Sequence, residues 1–142
     1  MRRIYVKEDV CIGCRLCEIY CIVQHSKSKN IIKAFRDEPR PLPGVIVEEK
    51  GPISFALQCR HCDDAPCVES CITGAMQRME DGRIICDIDR CVGCWTCIMV
   101  CPYGAIRMDQ NRKVASKCDL CIGEDIPVCV KNCPNEALMY EE

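Results

Sequence analysis

The stretch CVGCWTCIMVCPYGA, residues 91–105, puts Cys91, Cys94, Cys97 and Cys101 close together and sets Pro102 behind the last of them. Three more segments repeat the crowding. CIGCRLCEIYC, residues 11–21, carries Cys11, Cys14, Cys17 and Cys21. CRHCDDAPCVESC, residues 59–71, carries Cys59, Cys62, Cys67 and Cys71. CDLCIGEDIPVCVKNCP, residues 118–134, carries Cys118, Cys121, Cys129 and Cys133. Four motifs of four use all but one of the 17 cysteines and leave Cys86 over. The chain is therefore an internal repeat, and the repeated unit is a set of thiols.

A length of 142 residues allows one compact domain or two very small ones, and aromatic residues make up only 5%. Such a chain has little large apolar surface to bury, so metals or cross-links are expected to stabilise it. The formal charge of −2 leaves no basic excess for nucleic acid. No apolar run approaches the roughly 20 residues of a membrane span. Arg2 and Arg3 precede no apolar stretch, so no secretory or twin-arginine leader is expected. The expected compartment is the cytoplasm, where structural disulfides are disfavoured and clustered thiols bind metal.

The spacing selects the metal. Residues 91–102 read C-x2-C-x2-C-x3-C-P. In that run three thiolates wrap one [4Fe–4S] cluster and the fourth serves a neighbouring one. The two-residue gaps let one loop reach three corners of a cube, and Gly13 and Gly93 let backbone N–H groups approach the sulfurs. If a helix starts at the third cysteine, the fourth lies one turn on, about 6 Å along the axis, and faces the next cluster. This crossover ties clusters into pairs about 10 Å apart, close enough for electron tunnelling. Zinc sites favour two separated C-x2–4-C pairs instead. A disulfide framework needs an oxidising compartment, and a metal-storage chain would not carry hairpins and Cys-Pro endings. The sixteen motif cysteines are thus the candidate cofactor ligands, binding the iron of four [4Fe–4S] clusters.

Between the motifs lie strand–turn–strand patterns. Ala75–Met79 and Arg83–Ile88 flank Asp81-Gly82, a tight-turn dipeptide. GAIRMDQNRKVASKC turns near Gln110-Asn111, and VIVEEKGPISFALQ turns at Lys50-Gly51-Pro52. RIYVKE and EALMYEE at the two chain ends are β-prone, lack local partners and are able to pair with each other. The predicted fold class is α+β: two ferredoxin-like modules of short strands and helices, each with a pair of clusters. Residues 1–24 with 102–142 form the expected outer module and 58–101 the inner one. Residues 25–57 form a basic and proline-rich insertion with a hairpin, read either as a surface loop over the core or as a docking arm.

QCRHCDDAPCVESCITGAM, DRCVGCWTCIMVCPYGAI and KCDLC…CVKNCPNEAL together resemble the four-cluster ferredoxin-like subunits of dimethyl sulfoxide reductase-type pterin enzymes, formate dehydrogenases and hydrogenases. CIGCRLCEIYC and RKVASKCDLC look most like the iron–sulfur protein associated with CO dehydrogenase. The resemblance implies nested ligation: Cys11, Cys14 and Cys17 with Cys133; Cys118, Cys121 and Cys129 with Cys21; Cys59, Cys62 and Cys67 with Cys101; Cys91, Cys94 and Cys97 with Cys71. The residues agree with nesting, because the inner motifs flank a hairpin and the chain ends can pair. They do not exclude a pairing of the first motif with the second. Some relatives replace a cysteine of the third motif by tryptophan; Trp95 stands beside Cys94 and replaces nothing.

The implied function is electron transfer without a catalytic site. Single electrons would pass from a redox enzyme, CO dehydrogenase in the first reading, to a downstream acceptor protein. The alternative donor is a molybdenum- or tungsten-pterin oxidoreductase or a hydrogenase. No nucleophile–base pair, phosphate loop or nucleotide fingerprint is present. Cys86 reads as a small buried hydrophobe on a strand. His61 reads as a neighbour of the ligands rather than a ligand, His25 as solvated, and Trp95 as a cluster-edge cover. Arg15, Arg60 and Lys117 either offset cluster charge or face solvent. Four oxidised clusters with their thiolates add roughly −8, which makes the basic segment Lys27–Arg40 stand out on an anionic protein.

Overall fold

The computed structural model describes residues 3–38 and 40–141. Arg2 of the arginine pair, Pro39 of the basic segment and Glu142 of EALMYEE lie outside the described residues, as does Met1. The elements run β1 (Arg3–Val6), α1 (Leu16–His25), α2 (Ile31–Ala34), β2 (Val45–Lys50), β3 (Ile53–Gln58), α3 (Pro66–Ser70), β4 (Met76–Arg78), β5 (Ile84–Cys86), α4 (Thr96–Val100), β6 (Arg107–Asp109), β7 (Val114–Ser116), α5 (Val128–Lys131) and β8 (Leu138–Glu141). The mixed α and β content follows the motif spacing. Each third cysteine falls in a short helix, and each set of four is followed or preceded by a strand.

All strands pair in antiparallel twos. The chain ends meet as β1 and β8, with Arg3 opposite Glu141 and Val6 opposite Leu138. β4 and β5 are shorter than the runs 75–79 and 83–88. The ladder nevertheless extends one bond beyond each end: Asp87 N–H donates to the Ala75 carbonyl at 2.7 Å and Met79 N–H to the Arg83 carbonyl at 2.7 Å. At the turn, Gly82 has φ +88° and the Asp81 carboxylate accepts the Arg83 N–H at 3.0 Å. Asp109 closes the β6–β7 turn in the same way, accepting from Asn111 and Arg112 backbone N–H groups at 3.1 and 3.2 Å. Such Asx bonds are why these residues open turns. The β2–β3 hairpin turns at Gly51-Pro52, with Lys50 opposite Ile53.

Two groups of buried residues form two cores. The first joins Ile4, Val45, Val47, Ala56, Leu120 and Leu138 with Cys17, Cys21 and Cys129. The second joins Ala65, Met76, Ile84, Ile106 and Ala115 with Cys67 and Cys97. α1 packs on α5 and α3 on α4. The β2–β3 hairpin, placed in an insertion at 25–57, lends Val45, Val47 and Ala56 to the first core, because alternation buries one face of it. Ile106 and Ala115, placed with the outer stretch 102–142, are buried in the second core. Among the described residues no helix is long and apolar enough to cross a membrane.

Candidate functional site: four sets of thiols

Each motif is a left-handed loop leading into a short helix. Its third residue has positive φ in every case: Gly13 +68°, His61 +46°, Gly93 +73° and Leu120 +57°. In the second and fourth motifs the amide of that same residue points at the first sulfur. His61 N–H lies 3.4 Å from Cys59 Sγ, and Leu120 N–H 3.4 Å from Cys118 Sγ. Arg15 and Trp95, at φ +61° and +63°, then start α1 and α4. The third cysteines, Cys17, Cys67, Cys97 and Cys129, are buried in the helices. Cys21 follows one turn on within α1, and Cys71 and Cys101 sit at the C-terminal ends of α3 and α4.

Two small cavities collect thiols from motifs far apart in sequence. Cys11, Cys14 and Cys17 share one with Cys133, walled by Val47, Ala56 and Leu138. Cys91, Cys94 and Cys97 share the other with Cys71 and with Cys86. Electrostatic neighbours group the rest. The Cys67 thiol is pushed up by burial and then by Cys59 and Cys101. The Cys121 thiol is pushed up chiefly by burial, with Cys21 close by, and Cys129 is raised by burial, Cys21 and Cys121. Burial pushes Cys118 well up, with Cys21 and Cys129 adding to it. Cys17 is pushed up to about 12 and Cys97 to about 11, burial being the first cause in both. Cys14 and Cys94 are the exposed members of their sets. Cys94 is held low by hydrogen bonds from Thr96.

These thiols fit a multi-iron group better than a free-thiol chemistry. Every cysteine is unpaired. Further backbone donors reach the sulfurs from outside the motifs: Gly44 N–H to Cys21 at 3.2 Å, Ala115 N–H to Cys91 at 3.4 Å and Ala137 N–H to Cys133 at 3.3 Å. Donors of this kind stabilise charged thiolate ligands. Buried thiols that resist ionisation are poor nucleophiles but give up their protons to a metal. Gly44 and Ala115 were not legible as site residues, because their contacts cross 23 and 24 positions.

The other singled-out residues fall into place. Cys86 is half-buried on β5, and burial, with Cys91 next to it, pushes its thiol up to about 12. His61 is fully buried, not merely adjacent to the ligands, and its Nδ1 accepts the Ile84 N–H at 2.9 Å. Burial and then Lys117 hold its pKa down at about 3. His25 is not simply solvated. Its Nδ1 bonds the Cys21 carbonyl at 2.8 Å and its Nε2 the Asp119 carboxylate at 3.0 Å; Asp119 first, then the Cys21 thiol 3.7 Å from Nδ1, raise it to about 11. Trp95 lines the cavity of Cys91, Cys94 and Cys97. Arg15 pairs with Glu18 at 3.4 Å, and Arg60 stacks over the Tyr103 ring at 5.4 Å. An open cleft of about 540 Å³ lies beside the basic segment, lined in part by Lys27, Arg40, Arg112, Lys117 and Cys118.

The family model for the 4Fe-4S dicluster domain matches residues 52–142. The iron–sulfur protein of Rhodospirillum rubrum is 38% identical over 152 aligned positions, covering 95% of this chain and 79% of that one. The electron transport protein HydN of Escherichia coli (strain K12) is 36% identical over 154 positions, covering 97% of this chain and 86% of HydN. A chain in the active site complex BamBC of benzoyl coenzyme A reductase with benzoyl-CoA has a TM-score of 0.54 at 24% identity, covering 99% of this chain and 79% of that chain, a likeness of fold. The chain belongs to the 4Fe-4S dicluster domain family.

Proposed function

We propose that this dicluster-family chain is a non-catalytic electron relay in which sixteen cysteines hold four [4Fe–4S] clusters. The ligand sets are Cys11, Cys14, Cys17 and Cys133; Cys118, Cys121, Cys129 and Cys21; Cys59, Cys62, Cys67 and Cys101; and Cys91, Cys94, Cys97 and Cys71. The observation that carries the reading is the meeting of thiols from distant motifs, Cys133 with the first motif and Cys71 with the third. The packing of α1 on α5 and α3 on α4 supports the nested order. The names of the relatives, an iron–sulfur protein and an electron transport protein, support a carrier.

Bound there, the clusters supply one-electron redox chemistry without bond making. The chain supplies position and field. Thiolates from two motifs fix each pair at short range, backbone N–H groups point at the sulfurs, and the two cores exclude water. In this reading the outer module holds the first core and the inner module the second. The sets holding exposed Cys14 and exposed Cys94 would then be the two ends, with the Cys118 and Cys67 sets between them. Electrons enter or leave where these two exposed thiols sit.

The donor is a catalytic oxidoreductase and the acceptor a downstream redox protein. CO dehydrogenase is the first reading, from the likeness of CIGCRLCEIYC and RKVASKCDLC. A pterin oxidoreductase or hydrogenase is the second. Metal analysis of the complex that co-purifies anaerobically with this chain tests both levels. About sixteen irons on this chain, with nickel on the partner, is the expected result. Molybdenum or tungsten on the partner moves the donor to the pterin class. Zinc in place of iron, on protein never exposed to air, overturns the relay.

A further inference from the structure

One strand residue is held by two motifs at once. Ile84 of β5 is 1% exposed. Its N–H goes to His61 Nδ1, in the second motif, at 2.9 Å. Its carbonyl accepts from Nζ of Lys117, the residue before the fourth motif, and the same Nζ donates to the Cys118 carbonyl at 2.9 Å. The ammonium therefore spans the two cores: Ile84 belongs to the second, and Leu120, just beyond Cys118, belongs to the first.

Lys117 is partly buried. Charges taken out of water need a counter-charge, yet among the described residues Lys117 forms no ion pair with a carboxylate. Its charge instead lies at the seam between two ligand sets: Cys118 is its neighbour in the chain and the acceptor of one of its bonds, and Ile84, the other acceptor, is buried in the same core as Cys67. Those cysteines belong to the two ligand sets that face each other in the middle of the proposed order. On the reading of the chain as a four-cluster relay, each of those sets carries about −2 when oxidised and one further negative charge when reduced.

We infer that Lys117 is an electrostatic bridge between the two middle ligand sets, making one-electron reduction there easier than it would be without the ammonium, while its two carbonyl bonds hold the seam that the electron crosses. It is a positioning residue and not a ligand. The Ile84 peptide is its anchor, and fully buried, neutral His61 fixes the other side of that peptide, so the ammonium cannot swing toward solvent without freeing a buried carbonyl. The two sets at the ends lie beyond this charge, and the bridge sets the middle of the relay apart from them.

A unit charge about 10 Å away at an effective dielectric near 20 changes a one-electron equilibrium by about tenfold. The test is a redox titration of the anaerobic holoprotein followed by electron paramagnetic resonance, with iron content measured on each sample. Lys117→Met is expected to lower the reduction constant of two of the four clusters about tenfold, about 59 mV for a one-electron couple, and to leave the other two in place. Lys117→Gln, which keeps a hydrogen-bond donor and loses the charge, is expected to do the same, and it serves if the methionine variant misfolds. Lys117→Arg is expected to restore both constants to near the parent values. The inference is overturned if iron is complete and no potential moves, if all four move together, or if arginine behaves like methionine. An iron-free parent protein overturns the relay reading instead, and the bridge with it.

Discussion

Gly93→Ala isolates a close approach that the motif spacing does not reveal. Gly93 has φ +73°, and a Cβ there would stand 2.6 Å from the Lys113 carbonyl oxygen. That oxygen is backbone in the β6–β7 turn, and Lys113 is itself at φ +55°, so it has little freedom to retreat. Gly74 is the matched control, with φ +69° and nothing within 4 Å of an added Cβ. Both alanines bear the left-handed penalty of about 1 kcal/mol. Only Gly93→Ala adds overpacking, about 1–3 kcal/mol. At roughly 4 °C per kcal/mol for a chain of this size, Gly74→Ala is expected to lower Tm by about 4 °C and Gly93→Ala by about 8–16 °C. The same displacement carries Ala115 away from Cys91, whose Sγ it approaches at 3.4 Å, so iron is also lost faster from Gly93→Ala in air. Anaerobic thermal unfolding of the two holoprotein variants, read by circular dichroism, decides it. Equal losses would refute the docking of the third motif against the β6–β7 turn.

Two further substitutions probe the surroundings of the thiols. His25 is raised from 6.5 to about 11, first by Asp119, and its contribution to stability is therefore complete below pH 6.5 and fades as pH climbs toward 11. Asp119 is lowered, since its bond from His25 outweighs burial, so its own share is present above about 4 and lost in acid. His25→Gln should accordingly cost the most near pH 5–6, on the order of 1 kcal/mol, and less at pH 9; melts of parent and variant that stay parallel across that range would contradict the ion pair. Cys86→Ala is expected to keep the full iron content, whereas Cys97→Ala loses about four irons. Iron loss from the Cys86 variant would make it a ligand and displace one of the four thiols sharing its cavity.

Local features were legible in the sequence, and most features created by distant contacts were not. Motif spacing was compatible with a helix starting near the third cysteine, and Asp81-Gly82 marked a turn, because each depends on a few neighbouring dihedrals. The pairing of β1 with β8 was readable by elimination, as two β-prone ends without local partners. What escaped was which core each hairpin joins. Val47 lies on the buried face of an alternating strand and Ala115 on a short strand buried at two successive residues, and neither pattern names the partner face. His25 escaped for a related reason. Among lysines and a proline-rich stretch it looks solvated, but α1 runs on to His25 and brings it against Asp119, 94 positions away.

The third position of the motifs shows how one backbone need is met by different side chains. All four residues there are left-handed, which costs a non-glycine residue about 1 kcal/mol. Glycine removes that cost, yet only the first and third motifs use it. At Gly13 an added Cβ would meet Glu49 Oε1 at 2.6 Å and Ser54 Oγ at 2.8 Å, and at Gly93 it would meet the Lys113 carbonyl. In both, a hairpin lies against the back of the loop: at Gly93 it is backbone that leaves a side chain no room, and at Gly13 it is side chains that would have to shift. His61 and Leu120 occupy the same place in the second and fourth motifs, and both are fully buried. Leu120 fills the first core, and His61 takes the Ile84 N–H. The left-handed cost is offset there by apolar burial, worth about 1.5–3 kcal/mol for a leucine, or by satisfying a buried amide. The loop shape thus belongs to the thiols, while the residue at its bend belongs to whatever packs behind it. Leu120→Gly should therefore weaken the first core while leaving the loop's own conformation easier to adopt, the reverse of what Gly93→Ala does.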